Sequence, residues 1–176
     1  MKTETHIYNI IFYIASTVWA WQVIKGSEWL PWYFGGDGDH ALAGANLPFY
    51  QSTKELAVYG YFCFGFRIYG LVNIIFFAER EGDFAEMLLH EMVTAIIYFQ
   101  YLSSNFLPIG TMISFLHDMT DIPATMSKGA WTTTWWKISA PLFIFNQITW
   151  FFFRLYCFPM LIFDLYNYYD FTSERS

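Results

Sequence analysis

Long apolar runs, broken by isolated charges rather than by polar segments, set the terms for any fold of this sequence. A bilayer core of about 30 Å is crossed by roughly 20 mostly apolar residues in an α-helix, because a helix satisfies its own backbone hydrogen bonds without water. His6–Ile24 is the first such run, flanked by Lys2 and Lys25, with Trp19 and Trp21 where an interfacial aromatic belt belongs. Leu56–Ala78 is the second and Glu86–Phe106 the third. A short fourth, Gly110–Asp118, follows a break at Leu107, since Pro108 disfavours helix at the residue before it. Ser139–Leu165 is the last, with Pro159 as a kink near its end. The pattern predicts an all-α, polytopic transmembrane helical bundle of about five spans. Without internal repeats or low-complexity linkers, residues 1–176 read as a single transmembrane domain.

Composition agrees: only 14% of the 176 residues are charged and 56% are hydrophobic, whereas a soluble domain is typically about 25% charged. The formal net charge of -6 lacks the basic face that displaces counterions from phosphates, so no nucleic acid is expected as a partner. Cys63 and Cys157 sit in separate aromatic stretches with no CxxC pair, and read as buried small hydrophobes. The segment Trp29–Tyr50 is rich in Gly, Pro and aromatics and reads as an interfacial loop with tight turns at Gly35, Gly36 and Gly38. It matches neither GxxxxGKS/T nor GxGxxG, so a phosphate cradle is not expected. The first apolar run lacks a basic n-region and an AxA-type cleavage site, and reads as a retained helix rather than a secretory signal. The TSERS tail is polar and expected to fray. Lys25, Lys54, Arg80, Lys128 and Lys137 are spaced too evenly to fix an orientation.

Ionisable residues inside the apolar runs carry whatever chemistry the chain has. Arg67, His90, Glu91, His117, Asp118 and Arg154 fall in or near spans, where an unpaired charge costs at least about 2.5–3.5 kcal/mol at the centre. Helical spacing puts His90 on one face with Thr94, and His117 and Asp118 each beside Asp121. HEMVT falls one histidine short of the HExxH zinc motif, because Thr94 stands where the second histidine belongs. Imidazoles and carboxylates from His90, Glu91, His117, Asp118 and Asp121 suit zinc or iron in kind. The plainer alternative is that these groups pair with one another and with Arg67, Arg154 or Lys128, with no metal or other cofactor.

The run EGDFAEMLLHEMVTAIIYFQYLSSNFLPIGTMISFLHDMTDIPATMSK resembles the signature of the TLC-domain superfamily, most closely its ceramide synthase branch. That signature reads HHxxT, an aromatic and serine-bearing stretch, an Asn, a Gly, then HDxxD and a Lys. His90, Thr94, Tyr98, Asn105, Gly110, His117, Asp118, Asp121 and Lys128 stand at the matching positions. Arg154 followed by Pro159 is similar to the family's penultimate helix. The resemblance implies acyl transfer from acyl-CoA to the amine of a sphingoid base, with paired histidines as the catalytic groups. Imidazole suits that task because its pKa lies near neutrality, and a buried site keeps water from the acyl donor.

The sequence departs from that pattern. Glu91 replaces the second histidine of HHxxT, and a carboxylate does not form the same acyl intermediate. Gln100 stands where the signature has Ser. The run after Arg154 and Pro159 is short, which reads as a TLC-like fold lacking the last helix and the N-terminal extension of ceramide synthases. The expectation is a non-catalytic TLC-fold protein, its motif His90, Glu91, Thr94, His117, Asp118 and Asp121 degenerate. It would hold lipid through Arg67, His90, His117, Lys128 and Arg154, as an accessory subunit among other membrane subunits of a hetero-oligomeric complex. A sphingoid-base N-acyltransferase is the alternative, and a lone lipid sensor or transporter the third reading. The mitochondrial inner membrane, as in a respiratory-chain complex, is preferred over the endoplasmic reticulum of ceramide synthases.

Overall fold

A computed structural model describes residues 2–36, 51–77, 84–131 and 136–173. The chain divides into two compact units, residues 1–45 with 112–176, and residues 46–111.

In the first unit, α1 (Lys2–Ile24) is followed by a short 3-10 turn, Trp32–Phe34. Gly26, at φ 78, ends α1, and the Ser27 hydroxyl donates to the Ile24 carbonyl at 2.6 Å. That left-handed residue is where a helix commonly stops, because glycine meets no Cβ penalty there. Gly35, at φ 84, turns the chain again just after the 3-10 turn, as the loop reading expects; the remaining turn, at Gly38, lies outside the described residues. Phe12, Ser16, Ala20 and Ile24, each four apart, form the buried stripe of α1. It meets α4 (Leu107–Trp131) through the buried Asp118, which Ser16 reaches, and through Phe115. The Trp21 and Phe34 rings both pack on Phe115.

The unit continues as α5 (Trp136–Trp150), a π-helical stretch over Phe151–Cys157, and α6 (Phe158–Ser173). Pro159 has no N–H and its ring crowds the carbonyl four residues back. The chain accommodates it by widening beforehand, so that the Phe158 N–H bonds to the Phe153 carbonyl, five residues back. The expected kink is thus a π-helical stretch.

In the second unit, α2 (Lys54–Phe77) and α3 (Phe84–Ser103) pair antiparallel. The Thr53 hydroxyl caps α2 by accepting the Leu56 N–H at 3.3 Å. Leu56, Tyr59, Gly60, Cys63, Arg67 and Ile74 line its buried face, opposite Ala95, Tyr98 and Tyr101 of α3. Gly60 lets the helices close, since a Cβ there would lie 3.0 Å from the Leu102 side chain. Asn105, at φ 57, ends α3, and the Phe106 N–H bonds back to the Tyr101 carbonyl at 2.9 Å, a Schellman closure. The first turn of α4, up to Thr111, also belongs here.

The break near Pro108 is therefore real but lies at Ser104–Phe106, with Pro108 in the first turn of α4, where its missing N–H costs nothing. The fourth helix is not the short Gly110–Asp118: it runs to Trp131 and carries Pro123 inside. Hydropathy undercounts it because its second half buries Thr120, Thr125 and Ser127 against protein. Cys63 and Cys157 are both buried thiols outside any disulfide, as expected of small hydrophobes.

Among the described residues, Glu4–Ile24, Lys54–Phe77 and Lys137–Tyr166 are long and apolar enough to cross a membrane. Only 28%, 22% and 11% of their respective windows are buried, so most of their apolar surface needs lipid or another apolar partner. The α3 helix is of spanning length but is diluted by Glu86, His90 and Glu91.

Candidate functional site

In the first unit the site is built on α4. Asp118 and Ser16 are both fully buried, and the Ser16 hydroxyl donates to Asp118 Oδ2 at 2.6 Å. A buried carboxylate needs donors, and this one ties α4 to the buried stripe of α1. Asp121 is half-buried and forms an ion pair with Arg154 Nη2 at 3.0 Å. Arg154 Nε also donates to Thr120 Oγ1 at 3.2 Å, and Thr120 in turn donates to the His117 carbonyl at 2.7 Å. Arg154 lies within the π-helical stretch, whose altered register aims it at α4. His117 Nδ1 sits 2.8 Å from the Ile113 carbonyl. A carbonyl only accepts, so Nδ1 carries a proton. The ring meets Phe158 edge-on, 5.7 Å between centroids.

Outside the spans, the hydroxyl of Tyr33 is buried and meets no hydrogen-bond partner among the described residues. Burial, and then the charge of Asp164, push its phenol up, so it stays neutral.

In the second unit, His90 is exposed on α3, and the Thr94 hydroxyl bonds to its backbone carbonyl at 2.8 Å rather than to its ring. Glu91 is half-buried and turned toward α2: a Cβ built on Gly70 would lie 3.2 Å from its Oε2. Arg67, one turn from Gly70, is 4% exposed, with its guanidinium carbon 5.5 Å from the Tyr98 ring centroid and 5.7 Å from that of Phe66. Gly110 admits no side chain, because a Cβ there would collide with the Tyr101 ring.

The sequence-predicted residues thus fall into groups. His117, Asp118, Asp121 and Arg154 come together on the first unit, His90, Glu91 and Thr94 share α3 with Arg67 opposite, and Lys128 is exposed near the end of α4. Among the described residues no three His, Cys, Asp or Glu side chains converge as metal ligands would. Sequence reasoning missed Ser16 and Gly70, which lie outside the motif, and Thr120, which stands at an unspecified position of HDxxD; each acquires its role when another helix docks on it.

A family model described as the TLC domain matches residues 2–175. The chain belongs to the TLC-domain family. It is 27% identical to ASC1-like protein 3 of Oryza sativa subsp. japonica, over 99% of this chain and 59% of that protein. It is also 27% identical to ceramide synthase LOH2 of Arabidopsis thaliana, over 99% of this chain and 58% of that protein. With ceramide synthase 4 of Homo sapiens the identity is 27%, over 96% of this chain and 40% of the relative. This TLC-domain chain therefore spans less than two thirds of the length of these relatives. Its apolar helices and its family make it an integral membrane protein in contact with lipid. One open apolar groove of about 640 Å³ on the Lys137–Tyr166 helix is lined by Gln147, Ile148, Phe151, Phe152 and Tyr156.

Proposed function

We propose that this TLC-domain protein holds membrane lipid without carrying out acyl transfer, as an accessory subunit of a larger membrane assembly. The observation that carries the reading is the state of the histidine pair. One seat holds Glu91, turned toward Gly70 of α2, and the other holds His90, exposed and with Thr94 bonded to its backbone. An acyl-carrying or base mechanism that needs two adjacent imidazoles lacks one of them. The carboxylates of HDxxD are engaged by Ser16 and Arg154, a pattern that supports scaffolding. The exposed apolar faces of the three spans support burial against lipid and other subunits. The mitochondrial inner membrane, where accessory subunits are common in energy-converting complexes, is the proposed compartment.

A second reading, a sphingoid-base N-acyltransferase of the endoplasmic reticulum, is favoured by the retained His90, His117, Asp118 and Asp121 and by relatives named as ceramide synthases. Gentle solubilisation from native membranes separates the two. The subunit reading expects comigration with a large assembly; migration of the active chain alone supports the acyltransferase.

A further inference from the structure

Arg67 is a buried cation near the middle of an apolar helix, and such a charge in a membrane span needs a counter-charge or a wet cavity. Its aromatic neighbours, Tyr98 and Phe66, offer ring faces that attract a cation but cannot neutralise it.

The pairing of α2 with α3 sets which carboxylates lie on the side of Arg67. Gly60 meets Leu102 and Tyr101, Phe64 meets Phe99, and Gly70 meets Glu91, as an antiparallel register requires. In that register Arg67 faces the turn of α3 around Thr94, with Tyr98 one turn to one side and Glu91 one turn to the other. Gly70 lies three residues beyond Arg67 on the same face of α2. The missing side chain at Gly70 opens the notch in which the Glu91 carboxylate sits, and Gly70 is one helical turn from Arg67. Of the carboxylates on α3, Glu86 is exposed and more than one turn further away, whereas Glu91 is half-buried and directed at α2.

We propose that Glu91 and Arg67 form an intramembrane ion pair that locks α2 to α3, with Gly70 as the notch that admits the carboxylate. The residue occupying the second histidine seat thereby serves helix association. The inference deepens the non-catalytic reading but does not depend on it, since it is tested on folding rather than on product.

The test is a double-mutant cycle on the full chain in detergent, read by thermal unfolding. Arg67→Met and Glu91→Met each leave the partner's charge buried alone, and each is expected to lower the midpoint. The double variant, which removes both charges, is expected to recover most of the loss. Strictly additive losses overturn the pair. Should Arg67→Met give no folded protein, Glu91→Gln and Glu91→His decide the matter with Arg67 intact. Both are expected to lower the midpoint, the histidine variant at least as much because it adds a bulky ring without a negative charge, and a midpoint equal to wild type in both overturns the pair. An N-acylation assay on the same preparations is independent: activity would sink the proposed function and leave the ion pair standing.

Discussion

A carboxylate with no exposed surface is stable only while something donates to it, and Asp118 receives the hydroxyl of the equally buried Ser16. Ser16→Ala is therefore expected to cost about 1–2 kcal/mol, the range for an interhelical bond to a charged group inside a membrane protein. A chemical-denaturation series in detergent micelles checks this; an unchanged stability would mean the bond is idle. Gly110 makes a steric prediction of the same scale. Gly110→Ala puts a methyl into the Tyr101 ring and should destabilise by about 1–3 kcal/mol, and Tyr101→Leu in the same chain should recover part of the loss. The motif residues were legible in the sequence because charges and imidazoles stand out against apolar helices. Ser16 was not, because a lone serine in such a helix reads as any small residue until Asp118 is docked on it. Asn105 was legible only as a motif position, while the structure gives it the left-handed turn that stops α3.

At the scale of elements, the decisive irregularity is the π-helical stretch Phe151–Cys157. One residue more than an α-helix needs turns Arg154 toward Asp121 and Thr120 and accommodates Pro159. Deleting Phe152 should close the wide turn into regular α-helix, leaving the flanking turns on their faces and re-aiming Arg154 within it. The Asp121–Arg154 pair is then lost, and the deletion combined with Arg154→Met should be no less stable than the deletion alone. Thermal midpoints of the deletion, the point variant and their combination test this, and additive losses would contradict it. Apolar length located the spans well, since lipid is what their outer faces meet. It failed on α4, whose polar second half is buried by protein: Ser127 and Ser139 exchange hydrogen bonds between their hydroxyls and carbonyls, joining the end of α4 to the start of α5.

On the scale of the whole molecule, the family follows from a model match across residues 2–175, and membrane residence from apolar helices whose surfaces stay open. The proposed function turns on one substitution, Glu91 at the position where the family signature has its second histidine. Purified chain in bilayers, supplied with acyl-CoA and a sphingoid base, measures this most directly. The expected result is no amide-linked product above a protein-free control, with His90→Ala indistinguishable from wild type. Acyl-CoA-dependent ceramide formation that His90→Ala abolishes would contradict the account.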